Sequence, residues 1–101
     1  MNIFNKTTLK EFSRKHANCK KQLELWYNDI SEQNWKSSVD IRKNFAFASI
    51  LNRNRVVFNI KGNDYRLIAE VNYERGSIFI KFIGTHSEYS KVDAETVSLY
   101  G

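Results

Sequence analysis

The sequence predicts an α+β domain, with helices first and a small antiparallel sheet after them. Apolar residues recur at steps of three and four between Leu9 and Ile30, the period of a helix that buries one face. From Arg55 onward the pattern changes to short β-branched and aromatic runs separated by turns, at 55–60, 65–73 and 77–83, which read as strands. Helices followed by strands, rather than alternating with them, give α+β. The chain of 101 residues is 42% apolar and 14% aromatic, which is enough for one core and excludes disorder of the whole chain.

Taken in order, Ile3 and Phe4 suit a short edge strand ahead of the helices. Leu9, Phe12, His16, Cys19, Leu23, Trp26 and Ile30 trace one face over residues 7–32. Thr8 and Glu11 have the spacing of a capping box, which predicts a helix start near Thr8. His16-Ala-Asn18 is weak helix sequence and predicts a break near Asn18. Trp35, set in a polar stretch, pins a loop to the core. Ser37 or Ser38 offers an N-cap for a short helix through about Asn44, and residues 45–54 read as irregular. Lys61-Gly-Asn-Asp64 and Glu74-Arg-Gly76 are the turns of a three-stranded meander. Both faces of that meander are rather apolar, so one packs on the helices and the other is only partly open. The polar tail from Gly84 to Gly101 holds a short helix or coil. Without repeats, low-complexity tracts or a Pro/Gly/Ser linker, residues 1–101 read as a single domain.

Composition excludes several classes. A lone cysteine, Cys19, cannot form an internal disulfide, so a stapled secreted mini-protein is excluded. The N-terminal stretch lacks the apolar segment of a signal peptide, and no run has the length of a membrane span. The expected setting is a reducing cytoplasm, with no membrane association. His16, Cys19 and His86 are the only soft metal-ligand types and lack paired spacing. No metal and no cofactor is expected.

The net charge is +5, and the excess is confined to the middle of the chain. Residues 36–81 carry nine cations (Lys36, Arg42, Lys43, Arg53, Arg55, Lys61, Arg66, Arg75 and Lys81) against four acids. Phe45, Phe47, Phe58 and Tyr65 are interleaved with them. Phosphates need cations and unpaired bases need stacking surfaces, so the segment suits RNA, with Arg42, Lys43, Arg53, Arg55 and Lys61 as candidate contacts. A solvated basic face on an ordinary domain would give the same count.

Proton carriers gather after the third strand, where Gly84-Thr-His-Ser-Glu-Tyr-Ser-Lys91 holds His86, Tyr89 and Lys91. Counted outward from the turn at Gly76, Tyr65 and Arg66 fall opposite Gly84 to His86 across an antiparallel ladder. The sequence therefore predicts Arg66 and His86 at one end of the sheet, with Lys61 nearby. Cations beside proton carriers, without a metal, fit cleavage of RNA by its own 2′-hydroxyl. That reaction needs a base, an acid and charge stabilisation at phosphorus. Cys19 and His16, on the apolar stripe, read as structural.

The ordered set Arg55-Val-Val-Phe-Asn-Ile60, Gly62-Asn-x-Tyr65-Arg-Leu67 and Gly84-Thr-His-x-Glu-Tyr89, with Leu25-Trp-Tyr27 and Asn34-Trp-Lys36 ahead of it, resembles the HigB family of bacterial toxins. That family lies within the RelE superfamily of mRNA interferases, and the resemblance covers most of residues 6–92. It implies helices packed on a small antiparallel sheet that also gathers the N-terminal strand. It further implies cleavage of messenger RNA on the ribosome, which halts translation. Arg66 matches the superfamily's phosphate-contacting arginine, and His86 and Tyr89 match its C-terminal catalytic positions. The division of acid and base roles between those two stays open, with Arg66, Lys61 and Lys91 as electrostatic stabilisers. The implied partner is a HigA-like antitoxin carrying a helix-turn-helix, and operator DNA is reached only through that complex. Three other readings are a ParE-like gyrase poison, a non-catalytic RNA-binding module and an inactive homologue kept for operon regulation. His86, Tyr89 and Lys91 beside Arg66 argue against the gyrase poison, which needs no proton carriers.

Overall fold

The structure is a computed structural model that describes residues 1–99. Its elements are β1 (Asn2–Phe4), α1 (Lys6–Lys15), a 3-10 turn (Ala17–Cys19), α2 (Lys20–Ser31), α3 (Ser38–Asn44), β2 (Ser49–Ile50), β3 (Arg55–Ile60), β4 (Tyr65–Asn72), β5 (Ser77–Thr85) and α4 (His86–Tyr89). The α+β expectation holds, and the helical stretch divides where Asn18 interrupts it. The sheet has five strands in the order β1-β5-β4-β3-β2, the expected meander and N-terminal strand joined by an unexpected β2. β1 runs parallel to β5, with Ile3 opposite Ile78. β2 lies in the segment expected to be irregular and pairs only with Val56 and Val57 of β3. The last two residues of the expected tail lie outside the described residues.

Two local expectations are corrected. α1 starts at Lys6, with Asn5 in the left-handed region at φ 70° as its N-cap. Thr8 therefore lies inside the helix and caps nothing. β5 continues to Thr85, two residues beyond the expected end.

One face of the sheet packs on α1 and α2. Leu9, Cys19, Leu23, Trp26 and Ile30 meet Val56, Phe58, Ile60, Tyr65, Leu67, Ile78 and Ile80 in one buried cluster, which Trp35 and Ile41 extend. Phe58 is its aromatic hub, with ring centres 5.4 Å from Trp26 and 5.2 Å from Phe45. Val57 and Ile68 alternate onto the opposite face yet are also buried. Arg55 ties the C-terminal segment across that face, donating from Nη1 to the carbonyls of Ala94 (3.2 Å) and Val97 (2.6 Å). No helix among the described residues is long and apolar enough to cross a membrane.

A bulge at Lys81 sets the geometry of the functional end. Ile68 pairs with Phe82 and Ala69 with Ile80, leaving Lys81 unmatched. The extra residue reverses which face each later side chain takes. Ile83 and Thr85 thus turn toward the helices, while Phe82 and Gly84 share the opposite face with Arg66.

Candidate active site

The end of the sheet is formed by the finish of β3, the start of β4 and the finish of β5. Tyr65 pairs with Thr85 and Arg66 with Gly84, the juxtaposition that counting outward from Gly76 anticipates. The Lys61–Asp64 turn closes this end. Lys61 and Gly62 both take positive φ, 53° and 64°, a conformation open to glycine and costly for lysine. The backbone N–H of His86 donates to the Asp64 carbonyl at 3.0 Å, tying the first residue of α4 to that turn.

α4 is only four residues long, so its caps matter more than its propensity. The Thr85 side chain accepts from the Glu88 N–H at 3.1 Å, and the Glu88 carboxylate accepts from the Thr85 N–H at 2.8 Å. The T-x-x-E spacing that fails to cap α1 succeeds here. The bond from the Thr85 backbone holds the Glu88 carboxyl below its ordinary range, and the charges of His16 and Lys91 push the same way. Gly84 provides the clearance. A Cβ there would stand 2.6 Å from Cζ of Phe82 and 3.2 Å from Cβ of Glu88.

Arg66 and Tyr89 are brought together, with the guanidinium 5.7 Å from the ring centre. Arg66 also donates to the carbonyl and to Oδ1 of Asn63 at 3.2 and 3.3 Å. These bonds orient the fork and leave most of its N–H donors unused. His86, at the start of α4, and Lys91, two residues past its end, are both exposed. Lys61 is half-buried, and its charge reaches Cys19, whose thiol burial pushes above the ordinary thiol range. Arg66 in contact with Tyr89, His86 on the same short helix, Lys91 just after it and Lys61 in the turn after β3 give one sheet end the kinds of group that bind a phosphodiester and move protons beside it. Among the described residues, no three His, Cys, Asp or Glu side chains converge as a metal-binding group.

The other candidates separate. Arg53, Arg42 and Lys43 are exposed, but Arg53 sits beyond the far end of β3, about 20 Å from Lys61 at the usual strand rise. Arg55 corrects the expectation of an RNA contact. It is 6% exposed and is occupied by Glu70 at 3.4 Å and by the two tail carbonyls. The interleaved aromatics also divide. Phe58 and Tyr65 are buried, Phe45 is half-buried, and Phe47 is 85% exposed. The cleft between α1 and α2, of about 850 Å³, carries Lys6, Lys10, Arg14 and Lys20 but none of the catalytic candidates.

Two residues at this end, His16 and Glu88, were not assigned to the site from the sequence. His16 does lie on the apolar stripe, stacked on Phe12 at 4.4 Å and edge-on to Tyr65 at 5.5 Å. That same position puts its charge within reach of Glu88. The Tyr65 hydroxyl donates to Oδ1 of Asn18 at 2.7 Å, locking the helix junction to the start of β4. Glu88 closes the capping box at the start of α4. Only Glu88 left a signal, its spacing from Thr85.

Residues 19–92, from the helix junction through α4, match the HigB_toxin family model, described as the RelE-like toxic component of a toxin–antitoxin system. The chain belongs to the HigB toxin family. It is 32% identical over 96 residues to the mRNA interferase HigB of Escherichia coli O6:H1 (strain CFT073), covering 91% of each chain. It is 28% identical to the mRNA interferase toxin HigB of Escherichia coli K12 and to the mRNA interferase HigB of Shigella flexneri, over 88% of each chain. The family match therefore contains Lys61, Arg66, His86, Tyr89 and Lys91.

Proposed function

We propose that this chain is an endoribonuclease that cleaves mRNA through the substrate's own 2′-hydroxyl at the end of the sheet, on the ribosome. The observation that carries the reading is Arg66, oriented by Asn63 and lying against the Tyr89 ring beside the first residue of α4. Arg66 receives the scissile phosphate, with Lys61 and Lys91 completing the charge. His86 and Tyr89 divide the proton transfers. One takes the proton from the 2′-hydroxyl as its oxygen bonds to phosphorus, and the other gives a proton to the 5′-oxygen as the P–O5′ bond breaks. The products are a 2′,3′-cyclic phosphate and a 5′-hydroxyl end, so no water is consumed in the first step. Outside the cleavage reaction the chain pairs with a HigA-like helix-turn-helix antitoxin, through which alone it reaches operator DNA. Its working place is the cytoplasm.

Expression of the wild-type chain is expected to arrest growth and leave mRNA fragments with cyclic phosphate ends. Arg66→Ala, His86→Ala and Tyr89→Phe should each restore growth at equal protein level. Full arrest by both the His86 and Tyr89 variants would overturn the assignment.

A further inference from the structure

Phe47 is the most exposed large apolar side chain described, at 85%, against 46–61% for Phe4, Leu25 and Val39. It borders a groove of about 640 Å³ walled by Asn44, Phe45, Phe58, Asn59 and Asn63. Because β2 covers only Val56 and Val57, the backbone edge of β3 beyond them has no strand on that side, and residues 44–48 flank it instead. The groove has aromatic and amide walls and no acidic lining residue.

The groove is continuous with the candidate active site. Asn63, one of its walls, accepts both hydrogen bonds that orient Arg66, and Asn59 is the register partner of Arg66. Arg42 and Lys43 precede Asn44 on the exposed end of α3. A strand whose phosphate sits on Arg66 thus meets, next along the surface, an uncovered aromatic ring, three amides and further cations. An amide presents a donor and an acceptor together, the pairing that base edges require, and an exposed ring offers a stacking platform to an unpaired base. A protein partner would also welcome an apolar ring. The amide walls and the bond to Arg66 favour a nucleotide.

We propose that this groove is a nucleobase subsite, in which the base of a single-stranded RNA nucleotide adjoining the scissile phosphate stacks on Phe47 and is read by Asn59 and Asn63. The inference rests on the endoribonuclease reading above and identifies where that substrate's flanking base is held.

The test measures cleavage of a defined mRNA in a reconstituted translation mixture by the full chain and by Phe47→Trp, Phe47→Leu and Phe47→Ala. Loss of a stacked base lowers kcat/KM by about 5- to 150-fold. That loss is expected for both Phe47→Ala and Phe47→Leu, since leucine keeps apolar bulk without a ring face. Phe47→Trp should match or exceed the parent, and all four should melt alike because the side chain is exposed. Equal cleavage by parent and Phe47→Leu, to within about twofold, overturns the subsite and leaves the nuclease reading standing. Normal cleavage by Phe47→Ala with escape from the antitoxin of the same operon makes the groove a protein-docking surface and also overturns it. If the parent itself leaves the mRNA intact, the nuclease reading fails, and the subsite fails with it.

Discussion

Replacing Arg55 by methionine removes a guanidinium and little volume, so it isolates the polar clamp between the sheet and the C-terminal segment. The bonds to the Val97 carbonyl at 2.6 Å and the Ala94 carbonyl at 3.2 Å both come from a charged donor on a residue only 6% exposed. Hydrogen bonds to charged groups contribute about 1.5–3 kcal/mol each. Ala94 and Val97 are half-buried, so water can reach the released carbonyls and the low end of that range applies. The ion pair to Glu70, at 3.4 Å with the carboxylate side chain 40% exposed, adds at most about 1 kcal/mol. The total is about 3–4 kcal/mol, a large share of the roughly 5–15 kcal/mol that holds a domain folded. At about 4 °C per kcal/mol for a chain of this size, Tm should fall by about 12–16 °C. Thermal and urea unfolding followed by circular dichroism would read this, with proteolysis reporting early release of residues 92–99. Arg53→Met is the control, exposed and two residues away, and its Tm should stay within about 2 °C of the parent, as surface substitutions do. If Arg55→Met melts with the parent and instead weakens salt-sensitive RNA binding, Arg55 is a surface cation after all and the clamp is refuted.

Two further outcomes concern α4. Thr85→Ala removes one half of its capping box and should cost about 1 kcal/mol of stability, while cleavage falls by more than that loss explains because Tyr89 and His86 ride on the turn. The Glu88 carboxyl has a folded pKa below its unfolded value, so its contribution is present above the unfolded value and disappears as pH falls through the folded one. Urea unfolding of the parent and of Glu88→Gln, compared from neutral pH to about pH 3, should therefore converge on acidification. The difference is small because Glu88 is exposed, and a gap that widens with acid refutes the sign. Gly84→Ala puts a methyl 2.6 Å from the Phe82 ring and 3.2 Å from Cβ of Glu88. An overpacking cost of about 1–3 kcal/mol should appear in urea unfolding, together with impaired cleavage, and parental behaviour in both would refute the close approach.

What the sequence disclosed follows from how local each signal is. The helix face from Leu9 to Ile30 and the meander after Arg55 are periodic, and the register of an antiparallel hairpin is fixed by its turn. That Arg66 lies near Gly84 to His86 could thus be counted from Gly76, while the bulge at Lys81, which no turn announces, decides that its exact partner is Gly84. The parallel seat of β1 beside β5 could not be counted, because Ile3 and Ile78 stand 75 positions apart and nothing near either names the other. Arg55 misled for a related reason. It heads a strand in the most basic part of the chain, and only the distant carbonyls of Ala94 and Val97 reveal that its charge is occupied. His16 shows a different limit, since one stripe of helical spacing describes both a residue that fills the core and a residue that reaches the sheet end.

The two T-x-x-E spacings make the point within a single motif. Thr8 and Glu11 have the residues of a capping box, yet Asn5 in the left-handed region starts α1 earlier, so the Thr8 N–H donates to the Asn5 carbonyl at 3.1 Å. Thr85 and Glu88 have the same residues and do close the box, because β5 delivers Thr85 in extended conformation at φ −68°, ψ 164°, the geometry an N-cap requires. The motif states what the side chains can do, and the preceding backbone decides whether they do it. The bulge at Lys81 adds the facing, turning Thr85 toward the helices and putting Gly84 on the face that Arg66 shares. Arg66 takes its face from the unbroken alternation of β4, and the one-residue irregularity in the middle of β5 sets which β5 residues share that face at the end where α4 begins.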